Sequence, residues 1–229
     1  TSMTNIYGKA VDRFVVPSRF YIQKFQEWGI NTEKFVHIPN FVDVSSVEPA
    51  TSLGEYYFYF GRLAKEKGLV TLVQTFRESG RRLVIAGGGA MEAELKAMAG
   101  DASNIEFVGV LDGSGVAKFL TGARAVVVPS EWYENCPMAV IEAFGHGKPV
   151  IASDIGGLPE MVIDGETGFV FTPGDCASLE SAIERYEQLS DPAKLSLGKA
   201  VREFAEENYS PSVYTEKVSE LYSELRLKS

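Results

Sequence analysis

The sequence predicts an α/β protein built on a Rossmann-like, six-stranded parallel sheet flanked by helices. Three observations carry that expectation. From Glu55 to Gly174, short β-branched or aromatic runs alternate with amphipathic stretches without a break. The runs are apolar on both faces, as strands covered by helices on each side must be. The loops that stand out chemically all follow the end of a strand, which is where an open parallel sheet binds ligands.

Taken in order, residues 11–40 read strand, helix, strand. VDRFVVPS is a short apolar run. SRFYIQKFQEWG sets Phe20, Lys24 and Trp28, with Tyr21 and Phe25, at helical spacing before Gly29, and FVHIPN follows as a strand. A βαβ fragment of this size cannot bury its own apolar face, so self-association through it is expected. FVDVSSVEPATSLG has no periodicity and reads as a linker. Six strands then follow: EYYFYFG, RRLVIAGGG, IEFVGVL, RAVVVPS, KPVIASD and TGFVFTPG. The helices LVTLVQTFRESG, AMEAELKAMAG and GVAKFLTG cross between the first of them, and GLPEMVID forms a single short turn. Asp175 caps a helix with Leu179, Ala182, Ile183, Tyr186 and Leu189 on one stripe, and a further helix covers 191–207. After Ser210-Pro211 a last helix sets Tyr214, Val218, Leu221 and Leu225 on one face. The expected segments are 1–46, 47–208 and 209–229.

With 229 residues, 45% of them hydrophobic, the chain is long enough for a full core. A formal charge of −9 argues against a nucleic-acid binder, so any anion site must be made locally from a few cations and backbone N–H groups. Two cysteines, Cys136 and Cys176, make no disulfide framework, and the two histidines form no cluster with metal-ligand spacing. No apolar run approaches the ~20 residues of a transmembrane helix, and the start has no signal-peptide pattern. A cytoplasmic protein without metal or cofactor is expected.

The most informative stretch is SEWYENCPMAVIE, Ser130 to Glu142. Asn135 is placed to cap a helix through MAVIEAF, with Pro137 in its first turn. Glu134 lies at the helix mouth and Glu142 eight positions on, roughly 10 Å away at ~1.5 Å per residue. Between them the free N–H groups of the first turn are exposed, with the positive end of the helix dipole behind them. A ligand with hydroxyls at both ends and phosphates in the middle, such as a nucleotide sugar, fits that layout. The spacing is too wide for the ~5 Å gap of a retaining hydrolase.

Other strand-end loops add to it. FGRLAKEKGL puts Arg62 and Lys67 between glycines, either facing one anion or standing as surface charges on a turn. IAGGGAMEAEL offers Gly87, Gly88 and Gly89 for close approach to a ligand, or as a plain tight turn; it is not the dinucleotide fingerprint. The main chain of Val110, at the end of FVGVL, is available to a base edge. Gly156 and Gly157 would let the backbone approach a sugar, while Glu160 reads as a cap or ion-pair partner. His146 reads as a helix C-terminal cap, and Cys136 as a small first-turn residue whose thiol the helix N-terminus would acidify.

Together, GRLAKEKGL, ENCPMAVIEAFGHGKPVIASDIGGLPEMV and DGETGFVFTPGD resemble the C-terminal, donor-binding half of the family 4 retaining glycosyltransferases, enzymes of the two-Rossmann GT-B fold. The likeness spans about 55–190. The piece at 1–45 resembles the end of that family's N-terminal domain, and the last helix the one that crosses back to it. The resemblance implies a hexosyltransferase with a UDP- or GDP-linked sugar as donor and an unidentified glycan, lipid or small-molecule acceptor. It implies that Arg62 and Lys67 hold the diphosphate, Glu142 the ribose hydroxyls, and Glu134 the sugar hydroxyls near the reacting carbon. It gives Val110 the main-chain contact to the base, and Met138 and Ala139 the first-turn amides, with Gly88 and Asn135 beside them. It implies no metal, and front-face displacement in which the donor phosphate helps deprotonate the acceptor. The acceptor-binding domain is almost wholly lacking, so donor binding without transfer is expected of this chain alone, with any membrane association peripheral and confined to the longer protein. The same residues leave open a GT-B epimerase or phosphorylase, and a non-catalytic nucleotide-binding or interaction module.

Overall fold

The computed structural model describes residues 10–47, 49 and 52–227, so the first nine residues of the expected 1–46 segment lie outside the described residues. Six strands form one parallel sheet: β3 (Tyr56–Phe60), β4 (Leu83–Ala86), β5 (Ile105–Gly109), β6 (Ala123–Val128), β7 (Val150–Ser153) and β8 (Gly168–Phe171). Their order is β5-β4-β3-β6-β7-β8. Numbered within the sheet this is 3-2-1-4-5-6, the Rossmann order, and it confirms the fold class read from the alternation. All six strands read from the sequence are present.

The crossovers are α2 (Leu69–Ser79), α3 (Glu92–Ala99), α4 (Gly113–Gly122), α5 (Met138–Gly145) and the single turn α6 (Leu158–Met161), followed by α7 (Cys176–Glu187) and α8 (Asp191–Tyr209). Helix α2 packs on α3 and α7, while α5 packs on α8. The sheet and these faces enclose one core, in which Phe58, Leu72, Phe76, Leu83, Val127, Ile141, Phe144 and Ile151 are fully buried. Caps fall where side-chain chemistry places them: Asp112 accepts from Gly115 N at 2.7 Å and Asp175 from Ser178 N at 3.0 Å.

The N-terminal piece is β1 (Phe14–Val16), α1 (Arg19–Glu27) and β2 (Phe35–His37), with β1 and β2 paired in parallel. It docks by polar contacts and by the Phe20 ring, which meets Tyr133 at 4.9 Å. Ser18 Oγ donates to Asn135 Oδ1 at 2.5 Å, and Glu160 accepts from the first amides of α1, Arg19 N (2.8 Å) and Phe20 N. No residue of α1 is buried, and Val15 and Trp28 remain 47% and 61% exposed. The stretch read as a linker is anchored: Val44, in a 3₁₀ turn, is buried in the main core, and Arg202 donates to Val47 O at 2.9 Å and to Gly145 O. The last helix, α9 (Pro211–Arg226), half-buries Tyr214, Val218, Leu221 and Leu225, and Tyr214 meets the Phe41 ring at 4.5 Å.

Two glycines show what the β3 and β6 loops require of each other. Gly68 (φ 66°) and Gly80 (φ 69°) both adopt the left-handed conformation, but only at Gly68 would a Cβ strike another chain segment, 1.7 Å from Pro129 O. Gly80→Ala should therefore cost about 1 kcal/mol of backbone strain, and Gly68→Ala about 1–3 kcal/mol beyond that from overpacking. Urea denaturation of the two variants measures the difference; equal losses would mean that the two loops are not in tight contact.

Candidate active site

Strands β3 and β6 are neighbours although β4 and β5 intervene in the chain, so the loops that follow them diverge from one seam at the carboxyl edge of the sheet. The β3 loop runs from Gly61 through a 3₁₀ turn, Lys65–Lys67, and the β6 loop runs from Pro129 to Pro137. Glu131 N donates to Glu66 O at 2.9 Å, and Thr71 Oγ1 to Glu131 Oε1 at 2.9 Å, tying the loops together.

That tie sets one predicted cation on one predicted acid. Lys67 Nζ lies 2.5 Å from Glu134 Oε1, which also accepts from Ser130 Oγ at 2.6 Å. Ser130 is fixed in turn by Ser153, fully buried, whose hydroxyl donates to Ser130 O at 2.6 Å. Arg62 instead pairs with Glu66 four residues on, and its side chain is 68% exposed. Tyr59 Oη donates to Arg62 O at 2.9 Å and so holds the backbone at this position.

Helix α5 begins between these groups and Glu142. The N–H groups of Met138 and Ala139 have no acceptor within the helix, whereas Val140 N reaches back to Pro137 O at 3.1 Å. Glu142 is half-buried, with no hydrogen bond or ion pair to its carboxylate among the described residues. Burial holds its carboxyl above the ordinary glutamate range.

Two connected hollows join these residues into one cleft. The first, of about 560 Å³, is lined by Gly88, Val110 and Glu142 and by Arg62, Met138 and Ala139. The second, of about 330 Å³, shares Arg62, Met138 and Ala139 and adds Lys67, Ser130 and Glu134. Val110 is 79% exposed at the mouth, and its main-chain N–H and C=O make no hydrogen bond among the described residues. Eight of the nine residues nominated from the sequence therefore face the cleft.

Asn135 is the ninth and does not. The cap of α5 is Pro137, not Asn135, because the chain bends at Asn135 and Cys136, the helix starts only at Met138, and the Asn135 side chain is bonded to Ser18. Asn135 lines a different cavity, under the N-terminal piece. The glycine loops also divide differently from expectation. A Cβ on Gly87 or Gly89 would meet Gly61 O (1.8 Å) or Leu63 O (2.3 Å), and one on Gly156 or Gly157 would meet Glu134 O (2.5 Å) or Asn135 O (2.0 Å). All four sit against the chain's own carbonyls; of the two glycine pairs only Gly87, with its neighbour Gly88, also lies on the cleft wall. Burial raises rather than lowers the Cys136 thiol pKa, because desolvation outweighs the helix end. His146 does cap α5, its Nδ1 lying 2.8 Å from Glu142 O.

Sequence reasoning missed Ser130, Tyr59 and Ser153 as supports of the site. Ser130 alone left a signal, a hydroxyl four positions before Glu134. Among the described residues, no group of three or more His, Cys, Asp or Glu side chains is placed to hold a metal ion.

The family described as "Glycosyl transferases group 1" matches residues 47–204, and the chain belongs to it. Glycogen synthase of Mycobacterium tuberculosis is 37% identical over 143 residues, which are 59% of this chain and 34% of that protein. Among solved structures, sucrose-phosphate synthase of Thermosynechococcus elongatus superposes with a TM-score of 0.83 at 26% identity, over 98% of this chain and 62% of that one. HepE of Anabaena, solved with UDP and glucose, shares the fold with a TM-score of 0.86 at 18% identity, over 97% of this chain and 66% of that one. The chain thus spans about a third of the length of the glycogen synthase, and less than two thirds of either structure.

The unpartnered Glu142 makes a pH-dependent prediction. Since its folded-state pKa is raised, the fold penalises the ionised form. Below the unfolded value the carboxyl is protonated in both states and the penalty is absent; as pH rises from there, stability is lost. Glu142→Gln should melt like the parent near pH 4 and above it near pH 7, by calorimetry without ligand. A variant less stable at pH 7 would show that the carboxylate has a stabilising partner.

Proposed function

We propose that this member of the group 1 glycosyl transferases is the donor-binding part of a retaining, metal-independent enzyme of family 4. In this reading the enzyme transfers a sugar from a UDP- or GDP-linked donor to an acceptor hydroxyl. One observation supports the reading above the others. The cleft runs without interruption from an unbonded strand-end main chain (Val110), past an unpartnered carboxylate (Glu142) and two free helix amides (Met138 and Ala139), to a cation and an acid in contact (Lys67 and Glu134).

Each part answers one part of the donor. Val110 pairs with the base edge, and Gly88 leaves room for it. Glu142 accepts from the ribose hydroxyls, which satisfies a carboxylate that otherwise has no partner. Arg62, Lys67 and the α5 N-terminus take the diphosphate, where negative charge grows as the bond from the sugar's anomeric carbon to the phosphate oxygen breaks. Glu134 accepts from the sugar hydroxyls beside that carbon. The acceptor oxygen bonds to the same carbon from the face the diphosphate leaves, and its proton passes to the departing phosphate oxygen, so configuration is retained. HepE was solved with UDP and glucose, which supports a uridine donor as the first to test. The acceptor side belongs to the longer protein, and this chain alone is expected to bind donor without transferring it.

Titration calorimetry with UDP- and GDP-sugars tests the site. Arg62→Ala and Glu142→Leu should each weaken binding at least tenfold, about 1.4 kcal/mol. Undiminished affinity in both variants would refute it. Transfer by the longer protein should give a product whose anomeric configuration, read by NMR, matches the donor's; inversion would refute the retaining assignment.

A further inference from the structure

A second cavity, of about 360 Å³, lies where the N-terminal piece, α6, the end of α8 and α9 meet. It shares no lining residue with the donor cleft. Its size falls within the range of small-metabolite sites.

The wall holds polar groups without partners. Tyr209 is only 7% exposed and lines the cavity, yet its hydroxyl makes no hydrogen bond among the described residues. The hydroxyl oxygen is not sealed in the core but opens onto the cavity, where a bound acceptor can reach it. Arg19 and Lys217 line the same space, and neither guanidinium nor ammonium has an ion-pair partner among the described residues. Glu160 is the one carboxylate on the wall, and its two oxygens are taken by the Arg19 and Phe20 amides. Two cations against one committed acid leave the cavity positive, in a chain whose formal charge is −9. His37, also on the wall, is held below its ordinary pKa by burial first and then by the charge of Arg19; Glu160 pulls the other way, and Lys217 adds to Arg19 more weakly, so both cations act on the same volume.

We propose that this cavity binds a small phosphate monoester, with Arg19 and Lys217 on the phosphate oxygens and the Tyr209 hydroxyl donating to one of them. A guanidinium fork, an ammonium and a hydroxyl are all donors, and a phosphate offers several acceptor oxygens at once. Nothing in the argument depends on the donor reading of the cleft.

Glycerol 3-phosphate serves as the probe, followed by thermal shift and calorimetry, with glycerol and sulfate as controls. The expected result is a rise in melting temperature that persists in Arg62→Ala and in the presence of UDP. Tyr209→Phe and Lys217→Gln should each weaken glycerol 3-phosphate at least tenfold, while glycerol alone has no effect. Equal stabilisation by sulfate would assign the site to oxyanions at large and overturn the monoester. Stabilisation lost in Arg62→Ala but kept in Lys217→Gln would place the phosphate in the donor cleft and overturn the proposal, as would no stabilisation at all. Should UDP fail to bind, the Arg62→Ala arm still separates the two sites.

Discussion

The pairing of β3 with β6 governs everything at the candidate site. A chain that winds outward through β3, β4 and β5 must return to the first strand before it can continue through β6, β7 and β8. At that return the β3 and β6 loops leave the same edge side by side. They then have to fit against each other, and the sequence accommodates this with Gly68, whose missing side chain makes room for Pro129 O. The backbone bond from Glu131 to Glu66 and the ion pair from Lys67 to Glu134 close the same contact from either side. The cleft is the space left where the loops part.

Charge in that space is arranged before any ligand arrives. Arg62 and Glu66 form an exposed pair worth about 0–1 kcal/mol, so an anion taking the place of the carboxylate would do so at little cost. Lys67 and Glu134 are more enclosed, at 26% and 16% side-chain exposure, and Ser130 shares the contact. An anion reaching Lys67 joins an existing network rather than assembling one. Glu142 is the opposite case: its carboxylate is half-buried without a partner, so the folded protein carries a desolvation cost that hydroxyl donors would relieve. Free energy held in this way adds to ligand selectivity, because a ligand without the hydroxyls leaves the cost in place.

Much of this was legible in the sequence, for identifiable reasons. The six strands announced themselves because buried parallel strands are apolar on both faces, and a strand-end position follows directly once the strands are known. That Arg62, Lys67, Glu134 and Glu142 share one cleft followed from their places at strand ends and on the helix that starts there, although spacing alone left Arg62 and Lys67 also readable as surface charges. Asn135 misled because capping is judged from local chemistry, while Ser18, 117 residues distant, holds its side chain. The glycines misled for a related reason. A missing Cβ shows that something comes close, but not whether it is a ligand or the chain's own carbonyls; at Gly89, Gly156 and Gly157 it is the carbonyls, while Gly87 meets Gly61 O and also borders the cleft. Ser153 lay out of reach because its role depends on strand neighbours.

The N-terminal piece bears on the same loop by another route. Ser18 holds the Asn135 side chain, Asn40 Nδ2 donates to Cys136 O at 2.9 Å, and Gly157 N donates to Glu134 O at 2.7 Å one turn before Glu160 caps α1. The backbone from Glu134 to Cys136 is thus gripped from outside the sheet as well as within it. No residue of α1 is buried, but Phe20 packs on the Tyr133 ring at 4.9 Å and Val16 and Ile38 are buried, so the grip combines these hydrogen bonds with a small apolar contact. Hydrogen bonds of this kind exchange with water at about 1 kcal/mol each, so the aromatic contact of Phe20 with Tyr133 shares in holding the piece in place. Any shift of it must either break those bonds or carry the Glu134 loop along, which makes the position of the acid dependent on where the preceding segment sits.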